Sequence, residues 1–267
     1  MTFTTPNDIR AKDWVHLQEL IFKDAFDPTL NRHRTKYVFR GLSSSSYQLE
    51  TSLIRLHNNI GQIEKPLIRN FRKYAIGNPI ADTNWHWLSL AQHHGLPTRL
   101  LDWTFSPYVA LHFATASVDQ FNEDGAIWCV DFAGSRKSLP PDLMSEMQRE
   151  KMRGFTIDTL NNLFRDLEAF EEYGKKNGNF LLFFDPPSFD ERIINQNALF
   201  STMPDPSTRI DDWLLQHPDY YFRIILPKEL KLEIRDKLDT ANITERVLFP
   251  GLDGISQWLK RWYSKIS

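Results

Sequence analysis

The chain has 267 residues, 41% hydrophobic, 13% aromatic and 25% charged, with a formal net charge of −2. That length and aromatic share supply a sizeable core and exclude a disordered, solvating tail, while the near-neutral balance excludes the broad basic footprint of a nucleic-acid coat. A single cysteine, Cys129, excludes a disulfide framework and a cysteine-based zinc site.

The start, Met1 to Arg10, is polar, and the apolar runs are far too short for a membrane span. A soluble, cytoplasmic protein with no membrane partner is expected. Trp14, Leu17, Leu20, Ile21 and Ala25 have helical spacing and predict a helix within Ile9 to Phe26, making residues 1–35 an N-terminal helical segment. Tyr37-Val38-Phe39 predicts a strand that stops at Gly41 and the serine cluster. Helices follow over Gln62 to Ile76 and Trp85 to His94, the second stopped by Gly95 and Pro97. Thr98 to Trp103 is extended, and Ser106-Pro107 opens a helix with serine as its cap.

Gly125 to Phe132 reads as a buried strand. The more charged stretch 136–178 reads as a helical insertion, with helices around Asp142 to Arg153 and Thr156 to Tyr173. Phe180 to Phe184 is a strand ended by Asp185-Pro186-Pro187, and Arg192 to Phe200 is a strand or a turn leading into one. Tyr220 to Leu226 is a strand, Lys228 to Leu238 a helix, and Gly251 to Trp262 the last helix. Strands and helices interleave without a regular βαβ beat. An α+β fold is expected, with mixed or antiparallel sheets flanked by helices in one domain over residues 36–267.

The standard catalytic signatures are missing: no Walker loop, no GxGxxG, no GxSxG elbow and no HExxH. His93 and His94 are adjacent, so on a helix their rings diverge by about 100° and share no metal easily. No metal site is expected. Two segments combine apolar anchors with polar groups that are costly to bury idle. In Tyr37-Val38-Phe39-Arg40-Gly41, the arginine ends an apolar strand and suits either a strand-end ion pair or a bidentate grip on carboxylate or phosphate. The run from Ala91 to Thr104 must pair its polar groups in an internal network or line a pocket. Within it, Arg99 and Asp102 either form a structural pair, or Asp102 and Thr104 stand beside the helix start at Ser106, where an anion is favoured. The basic face Lys65 to Lys73 reads as a solvated helix surface.

Phe39-Arg40-Gly41, with Tyr47, Leu49 and Ser52-Leu53-Ile54-Arg55, resembles the opening of the FRG domain, a family named for that tripeptide. Glu64 and Phe71 are similar to its following helix. Ala91 to Thr104, Ser106-Pro107 and Ala110-Leu111-His112-Phe113-Ala114 are similar to its nearly fixed block, and likeness continues through Asp124 to Trp128, Arg192 to Phe200, Ile224 to Pro227 and Leu248 to Gly254. The resemblance implies a bacterial or phage-related protein with a toxin or phage-defence role.

The motif order also resembles the ADP-ribosyltransferase superfamily. That likeness implies NAD as substrate, with Arg40 and Gly41 at the first-strand position. Thr104 and Ser106 then take the second position and Gln196 the third, where the superfamily carries a glutamate. Glutamine lacks the charge to stabilise an oxocarbenium ion, so Asp102 is the favoured acid, ahead of Glu191.

Four readings follow. The first is an NAD-dependent ADP-ribosyltransferase or NAD glycohydrolase, in which Asp102, Thr104, Gln196 and His93 act in catalysis. Arg40, Gly41, Ser106 and Arg99 would then hold the nucleotide, with protein, nucleic acid or water as acceptor. The others are a non-catalytic nucleotide-sensing module, a nuclease using His93 or His94 as base, and a purely structural interaction domain. Arg40, Asp102, Thr104 and Gln196 are expected around one cleft, with Asp102 buried against Arg99 or a histidine.

Overall fold

The computed structural model describes residues 3–57, 59–75, 81–150, 152–188 and 190–264. The strands are β1 (Asp8–Arg10), β2 (Phe26–Asp27), β3 (Arg32–His33), β4 (Tyr37–Leu42), β5 (Leu101–Thr104), β6 (Gly125–Asp131), β7 (Phe155–Thr156), β8 (Leu182–Asp185), β9 (Ala198–Thr202) and β10 (Tyr221–Leu226). Apart from the β2–β3 ribbon they form one sheet, ordered β1-β10-β6-β4-β5-β9-β8-β7. The outer pairs β1–β10 and β7–β8 are parallel and the rest antiparallel. The fold is α+β, a mixed sheet flanked by helices.

β4 and β6 are apolar on both faces because both are covered. Tyr37, Phe39, Ile127 and Cys129 pack with the helices Trp14–Ile21, Pro107–Ala114 and Lys228–Thr240. Val38, Trp128 and Val130 pack on the other side with Trp103, Phe183 and Trp213. A third cluster joins Trp85 and Leu88 to Leu143, Phe155, Leu160, Phe170 and Phe184, tying residues 139–170 to the far end of the sheet.

One seam divides the sheet. β4 pairs with β6 from Tyr37–Asp131 to Leu42–Ala126, and β5 with β9 from Leu101–Ser201 to Thr104–Ala198. Between β4 and β5 the ladder has the single pair Phe39–Thr104. Continued, it would match Arg40 with Trp103 and Gly41 with Asp102. Instead the strands part there, and those four residues face an opening.

Several sequence expectations need correction. Asp8–Arg10 is a strand, because the buried Arg223 grips Asp8 (Nε–Oδ1 2.8 Å, Nη2–Oδ2 2.6 Å) and draws β1 beside β10. The first helix therefore begins only at Trp14, where Asp13 accepts from His16 N. β4 does not stop at Gly41 but continues to Leu42. The helix expected over 156–173 is two, Ile157–Leu163 and Leu167–Asn177, divided where Asp166 caps the second. Residues 192–200 begin with a short helix, Glu191–Asn195, capped by Asp190, and only then enter β9. Of the expected spans, residues 1–2, 58, 76–80, 151, 189 and 265–267 lie outside the described residues. Among the described residues, no helix is long and apolar enough to cross a membrane.

Asp211 is fully buried at the start of the helix Ile210–Leu215, and among the described residues no side chain donates a hydrogen bond to its carboxylate. Burial, aided by Asp212, pushes its pKa up to about 6. A raised acid pKa means that the folded state holds the proton longer than the unfolded one. Stability contributed by the neutral acid is therefore complete below about pH 4 and lost as pH rises through about 6. Asp211→Asn is expected to raise stability by roughly 2–3 kcal/mol at pH 8 and by much less at pH 4, as urea denaturation at both values would register.

Candidate functional site

The opening at the β4–β5 seam is a cavity of about 170 Å³, lined by Phe39, Arg40, Gly41, Asp102, Trp103, Thr104, Phe113, Arg192, Gln196 and Ala198. Residues far apart in the chain thus meet at one place: Arg40, Gly41, Asp102, Thr104 and Gln196 all reach it.

Each is held by a local cause. Phe39 is buried in the core, so alternation along β4 turns Arg40 to the opposite side. Its guanidinium crosses the seam: Nη1 donates to the Asp102 carbonyl at 2.5 Å and lies 3.9 Å from Asp102 Oδ2. Among the described residues, none accepts a hydrogen bond from the buried Arg40 Nε. Burial lowers the Arg40 pKa, with Asp102 opposing the shift and Arg55 adding to it. The site keeps the charge at a desolvation cost that an anion would relieve.

Asp102 is not buried, contrary to expectation. Leu101 and Trp103 enter the core on either side of it, so alternation sends its carboxylate outward, where it is 54% exposed. It accepts from Gln92 Nε2 at 2.7 Å, and Gln92 in turn accepts from Thr98 Oγ1. The carboxylate is therefore aimed by a relay rather than paired with Arg99 or a histidine. Thr104 is buried; its hydroxyl donates to Gln196 O at 2.7 Å and accepts from Ser106 N at 3.0 Å. Gln196 caps the short helix Glu191–Asn195, and its Nε2 donates to Leu248 O at 2.9 Å.

Gly41 has a packing reason. A Cβ there would lie 1.8 Å from the Ala110 carbonyl oxygen and 2.9 Å from Ala114 N. The helix Pro107–Ala114 rests on bare β4 backbone, which brings Phe113 over the cavity.

Three expected residues lie elsewhere. Arg99 is held below the surface through Nε and Nη2 by Glu64 (Nε–Oε1 2.8 Å) and Glu171 (Nη2–Oε1 2.6 Å), so it joins helices rather than lining the cavity. Ser106 spends its side chain on Val109 N as a helix cap. His93 Nε2 meets Asp190 Oδ2 at 2.7 Å in an adjoining cavity of about 610 Å³, lined also by His94, Arg192, Phe249 and Gln257.

Arg192, absent from the sequence candidates, lines both cavities. Nη1 donates to His93 O at 3.2 Å, and the guanidinium lies 4.9 Å above the Phe249 ring. A cation beside an apolar ring carried by a separate segment leaves no local sequence signal. Among the described residues, no group of three or more His, Cys, Asp or Glu could hold a metal ion.

Residues 35–123 match the FRG domain family. The match takes in β4, β5 and the helix between Pro107 and Ala114, hence Arg40, Gly41, Asp102 and Thr104; Arg192 and Gln196 come from beyond it. No curated protein and no solved structure matches the chain.

Proposed function

We propose that this FRG-domain chain binds NAD or a closely related dinucleotide at the β4–β5 seam and acts there as an ADP-ribosyltransferase or NAD glycohydrolase. The observation that carries the reading is the placement of the two guanidiniums. Arg40 and Arg192 share the seam cavity, and Arg192 also borders the larger one. A ligand spanning both cavities passes its middle over Arg192, and in a dinucleotide the middle is the pyrophosphate. Forked guanidiniums match phosphate oxygens in geometry as well as charge.

Among the described residues lining the seam, Asp102 is the one carboxylate. Breaking the nicotinamide–ribose bond leaves positive charge on the ribose as neutral nicotinamide departs. A water or acceptor nucleophile then adds to that carbon and loses its proton. Asp102, held by Gln92, supplies the fixed negative charge that this transition state favours. Gln196 contributes an amide and no charge.

Calorimetry with NAD and ADP-ribose, together with chromatography of released nicotinamide, tests the reading. Arg40→Lys keeps the charge but loses the fork, and should weaken binding about tenfold or more. Asp102→Asn should bind within a few-fold of the wild type, release nicotinamide about 100-fold more slowly, and cost under about 1 kcal/mol of stability because the carboxylate is exposed. If NAD binds and no nicotinamide is released, the neutral Gln196 favours the nucleotide-sensing reading. If neither NAD nor ADP-ribose binds at millimolar concentration, both fall.

A further inference from the structure

The C-terminal helix Leu252–Trp262 lies on the protein by its least apolar side. Gly254 is buried, and a Cβ there would meet Phe249 O at 1.8 Å and Glu245 O at 2.7 Å, so the helix backbone sits directly on the preceding turn. Arg261 fastens the other end, its guanidinium bonded to Asp239 (2.7 Å) and Glu245 (2.5 and 2.9 Å). These contacts fix the rotation of the helix about its axis. At about 100° per residue, Leu252, Ile255, Leu259, Trp262 and Tyr263 then fall within one arc of roughly 100° turned away from the body. Their exposures are 80, 42, 40, 57 and 80%.

We propose that this face is a symmetric dimer interface, covered by the same helix of a second copy of the chain running antiparallel to it. Area is the first argument. The two aromatics and three aliphatics offer roughly 500 Å² of apolar surface per copy, so a pair would bury on the order of 1,000 Å², the size at which specific interfaces begin. Symmetry is the second. A two-fold axis near Gln257 sets Leu252 against Trp262 of the second copy and Ile255 against Leu259, so the apolar stripe is its own complement. The nucleotide reading carries none of these arguments.

Sedimentation velocity of the full chain between about 1 and 100 μM should show a concentration-dependent dimer, in the range expected of an interface at the small end of the specific class. Leu259→Glu should raise the dissociation constant at least about tenfold, with a thermal midpoint near that of the wild type because the residue is at the surface. Ile255→Glu should weaken the dimer comparably, since the two-fold axis sets Ile255 against Leu259 of the second copy. A chain that stays monomeric over the whole range overturns the proposal. So does a dimer that neither Leu259→Glu nor Ile255→Glu weakens.

Discussion

Replacing Arg99 by Ala is expected to lower folding stability by about 3–5 kcal/mol, and to do so without a direct effect on ligand affinity. The side chain is almost wholly buried, and its guanidinium holds Glu64 from the helix Ile60–Tyr74 and Glu171 from the helix Leu167–Asn177. These carboxylates keep the Arg99 pKa above its ordinary value despite the burial. Removing the cation leaves Glu64, itself buried, with no counter-charge, and that stranded charge accounts for most of the loss. Glu64→Gln should cost less, because Glu171 still neutralises the arginine and an amide oxygen can still accept from Nε. Arg99→Met with Glu64→Leu should recover much of the Arg99→Ala loss, since a packed apolar pair needs no counter-charge. Urea denaturation of the three variants checks the order. A stable Arg99→Ala protein that no longer binds nucleotide would instead put Arg99 in the ligand site.

Arg99 also illustrates what the sequence contains and how it can be misread. Beside the other polar residues of its block it suggests a pocket, yet its partner had a clear signal of its own. Ile60, Glu64 and Ile68 stand four apart on one helix and all three are buried, so the glutamate occupies the apolar face and requires a cation. Asp102 was legible in the same way. Leu101 and Trp103 flank it with period two, which directs it away from the core. The strands themselves were readable because β4, β6 and β10 are apolar runs bounded by glycine, serine or proline. Gln196 was harder. The pairs Ile193-Ile194 and Leu199-Phe200 fit a strand as well as a short helix followed by one, and only the Asp190 cap distinguishes them. Arg192 depends on Phe249, more than fifty residues on, and the incomplete β4–β5 ladder depends on the whole sheet. Neither is a local property of the chain.

The Phe39-Arg40-Gly41 tripeptide separates into three physical tasks, and its glycine gives the second large effect: Gly41→Ala is expected to cost about 3 kcal/mol or more. The new methyl group would point at the Ala110 carbonyl from 1.8 Å, with Ala110 C at 2.8 Å and Ala114 N at 2.9 Å. All three are backbone atoms, so no side-chain rotation relieves the clash. The helix Pro107–Ala114 must retreat from β4 by about an ångström, and it cannot move alone. Its buried His112 is joined through Nδ1 to Arg235 at 2.9 Å, an arrangement that keeps the imidazole neutral, its pKa lowered to about 4 by burial and by that guanidinium. Its Phe113 covers the seam cavity. The strain therefore reaches both the core and the site. Arg40→Lys, one residue earlier, disturbs neither contact and should leave stability within about 1 kcal/mol while weakening the anion grip. Denaturation and calorimetry on the two variants should give opposite profiles, stability lost at 41 and affinity lost at 40. If Gly41→Ala keeps wild-type stability and loses only binding, the bare backbone at 41 serves the ligand's approach instead of the helix's.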